Sequence, residues 1–330
     1  MKKSIRLVII ILVFIALFIF FNILVSPKYK TDLIEGSLIS DYYESNFDHE
    51  VIILGDCEVY ANFSPMEMFN KNGIKAYVRG SSQQMLWQSY YILKETLNYE
   101  TPKVVVFSVG ALRNDESKIN EAYNRLAIDN MKWSTEKVDI INASMSDEES
   151  FLSYIFPILR YHERITSLSK EDLTYLLSKK TVSYNGFIIN KEVKPLENLP
   201  IKRKLPNYNF SEKNLEYLDK IVKLCKDNGI KLLLVKAPSQ YPYWYDEYDS
   251  FVKDYANKNE IDYLNILEYV EEIGLDFSQD TYDGGLHLNL TGAIKNSNFF
   301  SEYLKKHYEL VDYKNDPMYE KLLELYEKQK

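Results

Sequence analysis

The sequence predicts an α/β fold: a three-layer α/β/α sandwich built on a parallel sheet of about five strands, preceded by one transmembrane helix. Two observations predict the sandwich. Short apolar, β-branched runs alternate along the chain with stretches of helical periodicity, as in βαβ units. Several of those runs are continuously apolar, which is typical of strands buried on both faces. An uninterrupted apolar stretch at the N-terminus predicts the transmembrane helix.

The first element is this N-terminal stretch, with a basic tip at residues 1–6 and an anchor at 7–26. Leu7 to Val25 carries no charge and one polar residue, Asn22, and is long enough to cross a bilayer as a helix. A secretory signal peptide is the alternative, but it would have a shorter apolar region and a small-residue cleavage site, which residues 26–30 lack. The basic tip favours a cytoplasmic N-terminus. We therefore expect a single-pass protein of the cell membrane with its C-terminal domain outside the cytoplasm.

A polar tether at residues 27–48 leads into the main domain, which we place at 49–310. Five apolar runs predict its strands: Val51–Leu54, Ile74–Val78, Val104–Val109, Lys231–Ala237 and Ile261–Ile266. Helical patterns between and after them predict helices over Gln84–Tyr99, Ser211–Asn228, Asp246–Asn259 and Leu290–Tyr308. Ser211 is suited to open its helix, and Asn228-Gly229 to close it.

Residues 111–210 interrupt the alternation and predict a helical insertion between the third and fourth strands, either a lid or a partner surface. Helical periodicity within it covers Phe151–Arg160 and Glu171–Leu177. Residues 311–330 predict a short helical C-terminal tail. The chain has a formal net charge of -8, and its sequence shows no basic stripe that could neutralise phosphates. We therefore expect no nucleic-acid partner.

The chemistry begins after the first predicted strand, at Gly55-Asp56-Cys57-Glu58. The carboxyl ends of parallel strands are where functional sites collect. Amide groups at a helix start can stabilise a thiolate or an oxyanion, whereas Asp56 and Glu58 would repel a thiolate. A small buried cysteine at a turn is the alternative interpretation. Cys57 is also able to pair with Cys225, although a free Cys225 in the core is the simpler expectation.

A second chemical motif precedes the last predicted helix, at Asp283 and His287. The histidine can act as general base and acid, and the carboxylate can hold its tautomer. Cys57, Asp283 and His287 together predict a catalytic triad. The sequence shows neither a zinc-type cluster nor a phosphate-binding glycine loop, so we expect no metal and no cofactor.

The chain resembles the SGNH/GDSL-type hydrolases, which have a flavodoxin-like α/β/α fold. Gly55-Asp56-Cys57 is similar to their Gly-Asp-Ser block, with cysteine in place of serine. Asp283 to His287 is similar to their late Asp-x-x-His block, with one extra residue in between. The resemblance implies acyl-ester chemistry. It also implies an oxyanion hole formed by Gly80 and Asn114, with Asn114 displaced by two residues from the family's Gly-x-Asn-Asp pattern.

The single span and the segment Arg79–Gln84 resemble the membrane-anchored DltD and AlgJ-like proteins within that family. This resemblance implies a cell-envelope glycan or teichoic-acid-like polymer as substrate, and a membrane-bound O-acyltransferase as partner. Tyr243 and Trp244 follow the fourth predicted strand and are candidates for stacking on sugar rings, with ordinary packing under a loop as the alternative.

Three interpretations remain open from the sequence. The chain is an envelope polysaccharide acylesterase or acyltransferase that uses a Cys57 thiolate generated by His287. Alternatively, it is a catalytically degenerate binding or scaffold protein of the same fold. The third interpretation is a membrane-anchored structural protein that holds a partner through the insertion.

Overall fold

The computed structural model describes residues 2–27, 38–175, 177 and 182–330. Its centre is a five-stranded parallel sheet, counted over these described residues, in the order β2-β1-β3-β4-β5. The strands are β1 Val51–Gly55, β2 Ala76–Gly80, β3 Val104–Ser108, β4 Lys231–Lys236 and β5 Asp262–Asn265. All five predicted strands are present, so the predicted fold class is confirmed. This order is the doubly wound one, and its direction of winding reverses between β1 and β3.

Helices precede, connect and follow the strands. In chain order they are α1 Lys2–Val25, α2 Leu38–Asp41, α3 Cys57–Asn62, α4 Pro65–Asn72, α5 Leu86–Thr96, α6 Glu121–Ile128, α7 Thr135–Ser144, α8 Phe151–Ile155, α9 Ile158–Tyr161, α10 Lys170–Tyr175, α11 Glu212–Asp227, α12 Asp246–Asn259, α13 Val270–Ile273, α14 Leu290–His307 and α15 Pro317–Glu327. Local caps set several boundaries. Ser211 Oγ accepts a hydrogen bond from Asn214 N at the start of α11, and Gly229 follows its end at φ +68°.

Alternate residues of each strand enter two separate cores, one on each face of the sheet. Ile52 and Leu54 of β1 belong to the core beneath α5, α7, α11 and α12. Val51 and Ile53 belong to the opposite core, beneath α3 and α14. Because both faces are covered by helices, the strands are continuously apolar, as the sequence indicated.

Two predicted peripheral segments contribute to the folded domain. The second half of the predicted tether is packed, with Leu38, Ile39 and Tyr42 all buried, whereas its residues 28–37 lie outside the described residues. In the predicted C-terminal tail, α15 buries Tyr319 and Tyr326 beside α4. The segments at both ends of the domain therefore pack against the α/β/α sandwich.

Within the insertion between β3 and β4, the described residues form helices α6 to α10 between Glu121 and Tyr175, whereas residues 182–210 contain no helix. The periodicity over Phe151–Arg160 divides into α8 and α9, because Pro157 lies between them and lacks the N–H that a continuous helix requires. At the N-terminus, α1 is, among the described residues, the one helix long and apolar enough to cross a membrane.

Candidate active site

Cys57 is the first residue of α3 and lies directly after β1, at the carboxyl edge of the sheet. Asp56 caps this helix by accepting a hydrogen bond from Glu58 N at 3.1 Å. The thiol of Cys57 is half-buried and free, and Cys225 is buried in the core beneath α11 and is also free. The structure therefore contains no Cys57–Cys225 disulfide.

The electrostatics of the site favour a neutral thiol. Burial, followed by the charges of Asp56 and Glu58, raises the pKa of Cys57 well above its ordinary value. The backbone N–H groups of Gln83 and of Cys57 itself act in the opposite direction but do not outweigh them. The thiolate expected from the sequence is thus disfavoured in the resting site. Attack by Cys57 requires a base that removes the proton during the reaction.

Asp283 and His287 form a hydrogen-bonded pair on the loop before α14. The imidazole Nδ1 lies 2.5 Å from Asp283 Oδ2, and His287 N donates to Asp283 Oδ1 at 2.8 Å. One carboxylate therefore fixes both the backbone and the ring of the histidine, although the pair is separated by one more residue than in the family motif. The second ring nitrogen, Nε2, is buried and has no hydrogen-bond partner within the described part of the chain.

Two contacts bring the histidine loop to the helix that begins at Cys57. The rings of His287 and Tyr60 are nearly parallel, with their centres 6.5 Å apart. In addition, Leu288 N donates a hydrogen bond to Asn62 Oδ1 at 2.8 Å. Tyr60 lies three residues after Cys57, hence on the same face of α3. Burial raises the pKa of Asp56, and a positive charge on His287 opposes that rise. The same charge contributes, after Lys236 and Arg113, to the lowered pKa of Glu58. The structure thus places all three predicted triad residues in one region.

A buried ion cluster, formed by Glu58, Lys236 and Arg113, lies behind this region. Lys236 Nζ and Arg113 Nη2 are each 3.5 Å from Glu58 Oε1, and Ser108 Oγ donates to Glu58 Oε2 at 3.3 Å. Lys236 and Glu58 are almost completely buried. Burial opposes ionisation of Glu58, but the two cations together hold its pKa below the ordinary value. Glu58 is therefore a buried anion, which contributes to the raised pKa of Cys57.

This cluster depends on close approach at the ends of β1, β3 and β4. A side chain at Gly110 would place its Cβ 2.6 Å from Glu58 Oε2, so glycine is required there. Sequence reasoning missed the roles of Lys236 and Arg113. The sequence did contain a signal for Lys236, because this residue follows the apolar run of the fourth predicted strand. A lysine buried at such a position requires a partner of opposite charge.

The two predicted oxyanion-hole residues lie beside the site in different roles. A Cβ on Gly80 would lie 2.4 Å from Val59 Cγ2 and 3.1 Å from Asp56 O, so Gly80 permits β2 to pack against α3. Asn114 Nδ2 donates to Asp56 Oδ2 at 3.4 Å. Besides the backbone N–H of Cys57 itself, that of Gln83 acts on the thiol, and sequence reasoning missed it. Gln83 has φ +49° in the loop after β2.

The two predicted substrate-binding aromatics have different surroundings. Trp244 is 8% exposed, and its indole lies near the cations of Arg113 and Lys236. Trp244 is therefore packed under its loop, which is the alternative interpretation given from the sequence, and its indole has no open face on which a sugar could stack. Tyr243 lines a surface groove of about 540 Å³, together with Arg113, Arg203 and Tyr241. Arg113 therefore connects the groove to the buried cluster.

Arg79 and Gln84, which carried the finer family resemblance, stabilise the loop after β2. Arg79 is buried against Glu95 at 2.8 Å, with its guanidinium 3.9 Å from the ring centre of Tyr42. Gln84 Nε2 donates to Arg79 O and Ser89 Oγ. These contacts hold the segment that presents Gln83 N–H.

No family model matches the chain, and no curated protein matches it in sequence. Among solved structures, it is similar to a Bacteroides fragilis protein assigned as an acylhydrolase, with 13% identity, a TM-score of 0.39, and coverage of 81% of this chain and 94% of that one. It is similar to a GDSL-like lipase from Bacteroides thetaiotaomicron, with 13% identity, a TM-score of 0.38, and coverage of 83% and 100%. A protein from Desulfitobacterium hafniense assigned to the G-D-S-L lipolytic family has 11% identity, a TM-score of 0.37, and coverage of 77% and 99%. These similarities are too distant to assign a function, so the site is interpreted from its own geometry.

Proposed function

We propose that the chain is a membrane-anchored acyl-ester hydrolase or O-acyltransferase of the SGNH/GDSL type, with Cys57 as nucleophile and His287 as general base. The observation that carries the proposal is the Asp283–His287 pair. Its Nδ1 is held by a carboxylate, and its Nε2 is buried without a partner near the start of α3. A histidine prepared in this way is suited to accept one proton from a neighbouring group.

The proposed reaction starts from a neutral thiol. His287 Nε2 removes the proton from Cys57 Sγ while Sγ forms a bond to the ester carbonyl carbon. Backbone N–H groups of Cys57 and Gln83 stabilise the resulting oxyanion. Collapse breaks the carbon–oxygen ester bond, and His287 returns the proton to the leaving alcohol. His287 then takes a proton from water or a sugar hydroxyl as its oxygen attacks the thioester carbon. The carbon–sulfur bond breaks, Cys57 Sγ receives the proton from His287, and an acid or a new ester is released.

The groove beside the site supports a polymeric, anionic substrate. Arg113 and Arg203 supply positive charge, and Tyr241 and Tyr243 supply aromatic faces. Aromatic faces suit sugar rings, and arginine suits carboxylate or phosphate groups. We therefore propose an acyl ester on a cell-envelope glycan or a teichoic-acid-like polymer as the substrate.

The test is ester hydrolysis and acyl-enzyme formation by the purified full-length protein with p-nitrophenyl acetate. Cys57→Ala should abolish acyl-enzyme formation, because the attacking atom is lost. His287→Ala should reduce the rate by about 10²–10⁴-fold, the usual contribution of a general base. Cys225→Ala and His307→Ala are matched controls, since Cys225 lies in a core away from the site and His307 lies on the exposed end of α14. Equal activity of the Cys57→Ala variant and wild type would disprove the mechanism.

A second candidate is a catalytically degenerate scaffold that partners a membrane-bound O-acyltransferase. The carboxylates that flank Cys57 favour it, because they oppose formation of a thiolate. The engagement of Asn114 by Asp56 also favours it, because the amide is not free for an oxyanion. This candidate predicts no acylated Cys57 on mass spectrometry of the protein isolated from its own cells, whereas the enzyme predicts a thioester on Cys57.

A further inference from the structure

We propose that the α8–α9 segment of the insertion is seated in the lipid bilayer, where it forms an interfacial platform beside the end of α1. The proposal depends on the membrane anchor proposed above, and it is independent of the reaction at Cys57.

The first observation is an inverted distribution of polarity in α8 and α9. Ser153 and Tyr154 face the domain, where Ser153 Oγ accepts a hydrogen bond from Arg125 and the Tyr154 ring lies 3.5 Å from the Arg125 guanidinium. The exposed positions from Leu152 to Leu159 are apolar instead, whereas Arg160, His162 and Glu163 beyond them are exposed and polar. We define the insertion patch as the exposed apolar side chains of this segment and of the 3₁₀ turn after α9: Leu152 (55% exposed), Ile155 (39%), Phe156 (37%), Leu159 (55%) and Ile165 (48%). A water-facing surface would carry polar side chains at such positions.

The second observation is that α1 contacts the same segment. The rings of Phe18 and Phe156 lie 5.5 Å apart in an edge-on arrangement. Ile158 N donates to Asn22 Oδ1 at 3.1 Å, which gives the one polar side chain of the apolar stretch a partner. Arg164 donates to Val25 O at 2.6 Å and to Ser26 O at 3.0 Å, where α1 ends. The patch is thus continuous with the apolar surface of α1.

The position of Phe18 along α1 gives the depth of the contacting residue, Phe156, in the bilayer. Phe18 precedes the end of α1 at Val25 by seven residues, about 10 Å along the helix axis. If α1 spans the bilayer, Phe156 at the level of Phe18 lies below the point where α1 leaves the hydrocarbon. Amphipathic helices at membrane surfaces are buried by about 5–10 Å, which agrees with this depth. Lipid is therefore the occupant that the geometry favours.

The experiment places an environment-sensitive fluorophore on single cysteines in the full-length protein, reconstituted in pure lipid vesicles that contain spin-labelled lipid. Cys57→Ala and Cys225→Ala provide the background. Leu159→Cys reports the insertion patch, Phe14→Cys reports the span (69% exposed), and Leu199→Cys (72% exposed) is the matched control for an exposed apolar residue outside both. Hydrogen exchange of residues 151–159 in the unmodified protein, in vesicles and in detergent, provides a measurement without substitutions.

The proposal expects blue-shifted emission and strong quenching by spin-labelled lipid at positions 159 and 14, and neither at position 199. If position 14 is quenched and position 159 behaves like position 199, the anchor holds and the bilayer platform is wrong. If neither is quenched, α1 does not span, and both proposals fail. Protection of position 159 in native membranes but not in pure lipid would assign the patch to a protein partner and overturn the lipid proposal.

Discussion

Replacement of Cys57 by serine tests whether the nucleophile reacts from its neutral form. An unperturbed thiol is about 3% thiolate at pH 7, and every unit by which its pKa rises lowers that fraction about tenfold. Because burial and the charges of Asp56 and Glu58 raise the pKa of Cys57, the reactive thiolate is scarce at neutral pH. His287 must then remove a proton from thiol and alcohol alike. We expect Cys57→Ser to retain ester hydrolysis within about tenfold of the wild-type kcat/KM, less than the 10²–10⁴-fold that a lost base would cost.

The assay is p-nitrophenyl acetate hydrolysis, with the Cys57→Ala variant as the inactive reference. Alkylation of the wild-type protein by iodoacetamide gives an independent reading. Its rate at Cys57 should be at least about tenfold below that of free cysteine at pH 7 and should still rise with pH above pH 9, because ionisation of the thiol is displaced upward. Rapid alkylation at pH 6, together with a Cys57→Ser variant as inactive as Cys57→Ala, would show that Cys57 reacts as a preformed thiolate.

Two further substitutions test how the site is supported. Lys236→Met leaves the buried Glu58 carboxylate with a single 3.5 Å cation, so the free energy of unfolding should fall by about 3–5 kcal/mol in urea titrations. The double variant Glu58→Gln/Lys236→Met should recover most of this loss, and equal losses in both would contradict the charge explanation. Asn62→Ala leaves buried Leu288 N without its acceptor and should cost about 1–3 kcal/mol and lower kcat, because this bond ties the His287 loop to α3. Its control, Asn72→Ala, removes a half-buried amide bonded to Ser301 and should leave kcat unchanged.

The local patterns of the chain were sufficient to predict the sheet, because the strands are set by apolar runs and turn residues close in sequence. The same holds for the helix from Ser211 to Asn228, whose caps are adjacent residues. The packed positions of Tyr42 and Tyr326 were not predictable in this way. Both tyrosines lie in polar surroundings in sequence and become buried through contacts with residues distant along the chain.

In the candidate site, too, some features follow from adjacent residues and others only from the tertiary structure. The sequence predicts Cys57, Asp283 and His287 as candidate catalytic residues because each belongs to a short motif at the end of a predicted element. The effect of Glu58 on Cys57 was also visible, since the two residues are adjacent. The tertiary structure added the cations that neutralise Glu58, and the Asp56 contact that engages Asn114.

The strand and helix order, the apolar N-terminal helix and the chemical groups at the carboxyl edge follow from local sequence patterns. The burial, pairing and protonation of those groups depend on the tertiary structure. It buries Lys236 beside Glu58, disfavours the Cys57 thiolate, and holds His287 with one nitrogen on Asp283 and the other without a partner among the described residues. The physical reason is that burial and pairing arise where the ends of β1, β3 and β4 converge, and residues far apart in the chain meet only there.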